Sequence, residues 1–333
     1  MDYSIPNPRN FCGGNFQDWL EVNLLKSCNA KCSWCIERSG FHPDYIATTE
    51  KIAEMAIASG KTNIILLGGE PLLYKGLRKL IELLRIAGKK IWITSNGFLL
   101  SREFVLENLP GINGINISIH HYDLARNKEI TKIMIDENRL KESIEELHSL
   151  GVSIRMNCNI ISGQIDNEDE IMAYLKWAKS IEADKVRFAE LKEDDENFVD
   201  LAKMLNYQYG LNDDPFTHGC NSDCIIDGVP VNFRQMCGLQ TTKRVAPRNP
   251  KQEPKQVLYY DGIIYDGWKK ENEMKSVKQL YEMIKKQTGD KLTNGEIAEL
   301  VKLINIQAGE AAEEATEKAL SKQAPPEPKG CHY

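Results

Sequence analysis

The sequence predicts an α/β fold built on a parallel sheet. Two observations carry this. Strand-like and helix-like segments alternate six times between residues 19 and 191, and the chemically unusual residues fall just after the strands. Parallel neighbours need crossover connections, which the helices supply. On alternation alone an open doubly wound sheet and a barrel both stay open, and in either the C-terminal strand ends carry function.

Each element has its own signal. Residues 19–25 read as the first strand, with Cys28, Cys32 and Cys35 after it. Residues 48–59 read as a helix, and the β-branched and apolar run 63–67 as the second strand, followed by Gly68-Gly69-Glu70-Pro71. Residues 77–87 have helical periodicity. Residues 91–94 form a short strand running into Thr94-Ser95-Asn96-Gly97, and 101–109 a helix capped by Ser101. The alternating stretch 115–119 is the fourth strand and leads to His120; 140–150 is an amphipathic helix stopped by Gly151. The fifth strand, 152–161, carries Asn157; 167–181 is a helix with an acidic first turn, and 185–191 is the sixth strand.

After this comes an acidic connector, 192–212, and then a change of style. Residues 213–270 hold turn signals such as Asp227-Gly228 and Asp261-Gly262 together with three cysteines, and read as small hairpins around a metal. Residues 274–323 read as helices. The chain continues through a proline-rich stretch to Gly330-Cys331-His332-Tyr333.

Composition narrows the function. The 333 residues include 42 Lys+Arg and 48 Asp+Glu, a formal charge of −6, which argues against a general nucleic-acid binder. With 42% hydrophobic residues the chain is globular. No apolar run approaches the ~20 residues of a membrane span. The start of the chain lacks a signal peptide's basic and apolar regions. The expectation is a cytoplasmic protein in a reducing compartment, where disulfides are rare. Its nine cysteines therefore ask for another role. Cys158 lies in an apolar stretch and reads as a buried thiol. Cys28-x3-Cys32-x2-Cys35 and Cys220-x3-Cys224-x12-Cys237 read as metal ligands. Three thiolates on one loop fit zinc, which wants a fourth ligand, or a [4Fe–4S] cluster with one iron left open.

The first triplet, with Trp34 before its last cysteine, resembles the hallmark of the radical SAM enzymes. Gly68-Gly69-Glu70-Pro71 resembles that family's GGEP motif and Thr94-Ser95-Asn96-Gly97 its T-x-N-G loop. The resemblance covers about residues 17–192. It implies a partial (β/α)6 TIM barrel in which Cys28, Cys32 and Cys35 hold a [4Fe–4S] cluster and the open iron binds S-adenosylmethionine. Gly68 and Gly69 would let backbone approach the methionine amino group, with Glu70 and Pro71 orienting that loop. Trp34 would lie near the adenine. Thr94, Ser95, Asn96, Ser118 and Asn157 would line the ribose and carboxylate side. Reductive cleavage would give a 5′-deoxyadenosyl radical that abstracts hydrogen from a substrate, and an external reductant such as a flavodoxin or ferredoxin is implied.

The second cysteine set resembles the auxiliary-cluster region of the MoaA-like and Twitch/SPASM enzymes, and Val186-Arg187-Phe188-Ala189-Glu190-Leu191 resembles the sixth strand of the MoaA-like group. That implies a second [4Fe–4S] cluster on Cys220, Cys224 and Cys237. Cys331, Cys12 or His218 are candidates for a fourth ligand; zinc is the competing occupant. His120 and Cys331 are candidate catalytic groups, and Arg187 and Arg155 candidate contacts to cofactor or anionic substrate. The expected organisation is a core barrel over 1–192, an auxiliary-cluster region over 193–270, a helical segment over 271–323 and a tail over 324–333. The substrate reads as nucleotide-like, with a peptide-modifying maturase as the alternative and, from another class, a non-catalytic zinc-binding protein on a degenerate barrel.

Overall fold

The computed structural model describes residues 18–38, 40–191, 194, 196–205, 221–235, 239–240, 245–246 and 255–269. The alternation is as the sequence predicts, with one helix more. In chain order come β1 (Trp19–Asn23), α1 (Thr49–Ala58), β2 (Asn63–Leu67), α2 (Leu77–Ile86), β3 (Lys90–Ser95) and α3 (Arg102–Asn108). Then follow β4 (Gly114–Ser118), α4 (Leu124–Thr131), α5 (Glu137–Ser149), β5 (Ser153–Asn159), α6 (Glu168–Ser180) and β6 (Lys185–Ala189). The six strands lie side by side in sequence order, every pair parallel and paired without a slip from β1 to β6. This is a partial TIM barrel; the sheet is not closed.

Local chemistry fixes the helix starts. Thr48, Ser101, Asp123, Asp136 and Asn167 each accept a backbone N–H in the first turn through the side chain. Alternation within the strands then sorts the faces. Leu20, Val22, Ile64, Leu66, Ile91, Ile93, Ile115, Ile117, Ile154, Met156, Val186 and Phe188 turn to the helices and make one core. At roughly 25 cal/mol per Å² of buried apolar area this layer is the main stabilising term. The other face is polar in its upper part, with Asn116 buried and Thr94, Ser118, Arg155, Asn157 and Arg187 half-buried. Its lower end is filled by Trp92, whose ring meets Trp19 at 6.3 Å and occupies the space a Cβ at Gly114 would need.

The extra helix, α4, escapes sequence reading because its Leu-Ala-Arg-Asn-Lys-Glu-Ile-Thr run is short and mostly polar. The hairpins of the later region also do something unexpected. After α7 (Leu201–Met204), β7 (Asn221–Ile226) and β8 (Val229–Arg234) turn at Asp227-Gly228, both with positive φ as a tight hairpin turn requires. β8 then pairs in parallel with β6. A short separate ladder joins β9 (Leu239–Gln240) to β10 (Val245–Ala246). β11 (Gln256–Leu258) and β12 (Ile264–Asp266) form a second hairpin, and β11 pairs in parallel with β1. Two strands are thereby added at each end of the six, giving ten in the order β12-β11-β1-β2-β3-β4-β5-β6-β8-β7. No helix among the described residues is long and apolar enough to cross a membrane. The expected helices of 271–323 and the tail lie outside the described residues.

Candidate functional site

The cysteine loop leaves β1 and is stitched to the loop after β2. Gly69 N donates to Leu25 O at 2.7 Å and Glu70 N to Ser27 O at 2.9 Å. This contact is possible only without side chains. A Cβ on Gly68, which sits at φ +132°, would stand 2.6 Å from Asn23 Oδ1 and 2.8 Å from Leu25 O. One on Gly69 would stand 2.5 Å from Lys26 O and closer still to Ser27 O. In this structure, then, the glycines let two backbone segments meet.

Glu70 extends the stitching to the third loop. Its side chain is 1% exposed. Oε1 accepts from Leu72 N at 3.0 Å and Ser95 Oγ at 2.8 Å, and Oε2 from Asn96 N at 2.8 Å. Burial pushes this carboxyl up, and the three donors oppose the push. Pro71 opens a buried 3-10 turn behind it. Asn96 closes the circle, since its Nδ2 donates to Asn29 Oδ1 at 2.7 Å and lies 3.9 Å from Cys28 Sγ. Thr94 accepts from Asn116 Nδ2 at 2.9 Å, leaving Asn116 Oδ1 buried without a partner.

Cys28, Cys32 and Cys35 share one small neighbourhood. Burial raises all three thiols, Cys32 to about 12, with the neighbouring sulfurs adding to the push on Cys28 and Cys32. Such thiols resist ionising alone and ionise when a cationic centre binds them. Among the described residues no three Cys, His, Asp or Glu side chains converge as ligands of a single ion do. A cubane takes each thiolate on a different iron and so needs a wider set. The donor set fits a cluster: three thiols, a loop held rigid from two sides, and no fourth protein ligand among the described residues.

On the far side, Trp34 meets His120 edge to face at 5.5 Å, beside an apolar group of Ile130, Ile161 and Leu191. His120 Nδ1 accepts from Asn159 N at 3.1 Å, which leaves the proton on Nε2. Burial pushes this imidazole down to about 4, so it is neutral at pH 7. The unpredicted α4 holds this corner together. Buried Asn127 accepts from His120 N at 2.8 Å, and Thr131 O accepts Lys31 N from the cysteine loop at 2.8 Å. No periodic signal marks these two residues.

The polar face beyond β4 is basic. Strand parity was ambiguous in sequence, yet Arg155 and Arg187 both turn to this face rather than to the helices. Arg155 Nε donates to Asn157 Oδ1 at 3.1 Å. Arg187 Nε donates to Asn232 Oδ1 at 2.7 Å, and Asn232 Nδ2 to Asp223 at 2.8 Å. Burial, then Arg155 and Arg234 as like charges, push Arg187 down to about 8. Burial and Arg234 push Arg155 down to about 10. Lys255 feels Arg234 and Arg187 too, while its Nζ meets Glu21 at 2.7 Å. Guanidiniums keep their protons in proteins, so the pressure registers burial first and the crowding of like charges second. Asn232, Arg234 and Lys255 come from the added strands, and no motif pointed to them.

Of the second cysteine set only Cys224 is described. It is half-buried on β7, and burial, with Asp223 beside it, raises its thiol to about 12. Cys220, Cys237, Cys331, Cys12 and His218 lie outside the described residues.

A partial barrel whose strand-end loops frame a three-thiol site defines a class of metal-cofactor enzyme. Residues 22–178, just under half of the chain, match the family model for the Radical SAM superfamily. It is 32% identical over 184 residues to a GTP 3′,8-cyclase of Thermodesulfovibrio yellowstonii, covering 52% of this chain and 56% of that one. It is also 32% identical over 198 residues to molybdenum cofactor biosynthesis protein 1 of Dictyostelium discoideum, covering 57% and 31%. The chain thus spans about half or less of the length of these curated relatives. Among solved structures, Streptococcus suis SuiB bound to precursor peptide SuiA superposes with TM-score 0.52 at 15% identity, over 74% of this chain and 58% of that one. The enzyme anSMEcpe with bound AdoMet superposes with TM-score 0.51 at 15% identity, over 74% and 73%. These two likenesses are of fold. The match to that family implies a [4Fe–4S] cluster and S-adenosylmethionine.

Proposed function

We propose that this chain is a radical SAM enzyme acting on an anionic, nucleotide-like small molecule held on the polar face of the sheet. When bound, the cluster with S-adenosylmethionine supplies a 5′-deoxyadenosyl radical that takes a hydrogen atom from substrate. The chain's own residues do the rest. Cys28, Cys32 and Cys35 hold the metal. Glu70, Asn96 and the two glycines fix the loops around it, and Trp34 and His120 wall the nucleoside side. Ser118 stands at the end of β4, between that wall and the basic groups. Arg155, Arg187, Arg234 and Lys255 receive the substrate's negative charge.

The observation that carries the substrate class is the gathering of Arg155, Arg187, Arg234 and Lys255, with Asp223 and Glu21 the acids acting on them among the described residues. A buried cation without balancing charge costs several kcal/mol, and a multiply charged anion would offset it. The relatives named GTP 3′,8-cyclase favour the same class. The structural likeness to SuiB bound to precursor peptide SuiA keeps peptide modification as a second reading, but a peptide would not need four converging cations. A second [4Fe–4S] cluster on Cys220, Cys224 and Cys237 remains part of the proposal.

The test is anaerobic reconstitution with iron and sulfide, counting iron and 5′-deoxyadenosine in wild type and in a Cys28/Cys32/Cys35→Ala variant. The expected result is about eight irons falling to about four, with 5′-deoxyadenosine lost. Binding of GTP and of inorganic triphosphate, weakened at least tenfold in Arg155→Met/Arg187→Met, checks the substrate class. Zinc at both sites with no 5′-deoxyadenosine would overturn the reading in favour of a zinc-binding protein. Triphosphate binding that ignores the arginines would return the substrate to the peptide class.

A further inference from the structure

We infer that Glu21 is a specificity-determining residue of the basic face, one that favours a substrate with a single phosphate-like group over one with a polyphosphate chain. The inference rests on the anionic-substrate reading above and adds to it how much charge that substrate carries. Leu20 and Val22 turn to the helices, so Trp19 and Glu21 share the opposite face of β1. Trp19 meets Trp92 at the floor of that face, and Glu21 stands one step above it. Its side chain is 15% exposed, so water screens it poorly. Its Oε1 lies 2.7 Å from Lys255 Nζ, and its Oε2 accepts from Trp268 Nε1. Both partners flank the hairpin of β11 and β12, which pairs with β1. With its two oxygens engaged by protein donors, Glu21 acts on a ligand through charge.

The charge is kept. Burial pushes the Glu21 carboxyl up, but Lys255, Trp268 and Arg234 more than reverse the push and leave it below the usual carboxylate range. It is also within reach of the ligand groups. Five strands separate β1 from β8 in the sheet, yet Arg234 on β8 acts on Glu21 and Lys255 as well as on Arg155 and Arg187. The sheet therefore curls until its two ends face one another across the polar side. The attraction of such a site for an anion rises in proportion to the anion's charge. The cost of stripping water from the anion rises as the square of that charge. Each site thus has a charge that it binds best, and a carboxylate among the cations moves that optimum down. Glu21 does so twice, by repelling the anion and by engaging Lys255.

The test is calorimetric titration of the reconstituted full chain with GMP and with GTP, which share a nucleoside and differ in charge, in the absence of divalent cations. Wild type should bind GMP at least as tightly as GTP, to within about twofold. Glu21→Gln keeps an acceptor oxygen for Trp268 and removes the charge. It should bind GTP about tenfold more tightly than wild type does and GMP about threefold, so that the preference moves to the triphosphate. Glu21→Gln/Lys255→Met removes one charge of each sign and should return the ratio to within about twofold of wild type. A wild type that binds GTP more than about twofold tighter than GMP overturns the inference, and that outcome needs no variant to fold. So does a Glu21→Gln ratio equal to that of wild type, or one that the double variant fails to reverse, which would make the effect one of packing. Binding of neither nucleotide, or binding of both that ignores Arg155→Met/Arg187→Met, would instead be a failure of the anionic-substrate reading, and the inference would fall with it.

Discussion

The two halves of the strand-end mouth are built on opposite principles. From β1 to β3 the loops are stitched to one another: backbone meets backbone over Gly68 and Gly69, and Glu70 takes three donors. From β5 to β8 like charges are crowded together, with Arg155 and Arg187 each holding one amide partner beside Arg234. On the proposed reading the first half holds still the loop that would bear the cluster, and the second receives the substrate's charge. A rigid half beside a crowded half is what a cofactor that must not move and a substrate that must come and go require.

The sharpest way to break that contrast is Gly69→Ala. The added methyl must displace the Lys26 and Ser27 carbonyls, neither of which is a flexible side-chain end. Overpacking against backbone costs about 1–3 kcal/mol or more, and here the strain falls on the cysteine loop. Iron retained after reconstitution should fall by half or more, and 5′-deoxyadenosine formation at least a hundredfold. Gly88→Ala, where a Cβ meets nothing within 4 Å but φ is +72°, is the control for backbone strain alone. Equal iron loss in both would show that the tight stitching is not what holds the loop.

His120 sits where the halves join, and its effect is one of pH. Its folded value, about 4, lies below the usual 6.5 of a free imidazole. The unfolded chain therefore binds the proton first. The stability this residue confers is complete above about pH 6.5, is lost as pH falls toward 4, and changes no further below that. The whole loss is about 3 kcal/mol, of which about 2 falls between pH 7 and 5. Urea unfolding of wild type and His120→Gln at both pH values checks this. The variant should remove most of the difference, and an unchanged slope would place the acid sensitivity elsewhere.

These two cases also show what was legible in the sequence. The glycines, the cysteine triplet and Glu70 sit in contiguous motifs after predicted strands, so their neighbourhood could be read from order alone. The six strands were legible for the same reason, because each alternates over its own length. What failed to show was whatever depends on a distant partner. Asn127 and Thr131 work through single hydrogen bonds made by a short polar helix. Lys255 reaches Glu21 across 234 positions of sequence. The hairpins were predicted, but a hairpin's sequence does not say which sheet edge it will join. It was that joining which brought Asn232 and Arg234 to the basic face. The direction of Arg155 and Arg187 became clear only once the register was known.

The crowded half makes a prediction of its own. Arg187→Met removes one half-buried charge from a crowded group while keeping much of the volume. Without ligand it should stabilise the protein by about 1–2 kcal/mol, as replacing a buried charge by an apolar group often does. Adding inorganic triphosphate should reverse the order: the wild type gains thermal stability with concentration and the variant gains little. A variant less stable than wild type in the absence of anion would mean that the bond to Asn232, rather than the need for a ligand, explains the arginine.

Glu70→Gln tests the stitched half by the smallest change. The amide keeps one acceptor oxygen but turns the other into a donor, while the site offers donors from Leu72, Ser95 and Asn96. One N–H or hydroxyl must face an NH2 group whichever way the amide is turned. Losing a hydrogen bond to a charged acceptor in a buried place costs about 1–2 kcal/mol. Much of that should appear locally, because two of the three donors, Ser95 Oγ and Asn96 N, belong to the loop that carries Asn96 to Asn29 and Cys28. The expected result is a melting point lower by about 2–4 °C, with faster hydrogen exchange confined to residues 94–98. A uniform rise in exchange across the barrel would mean that Glu70 supports the fold as a whole and not the loop that faces the thiols.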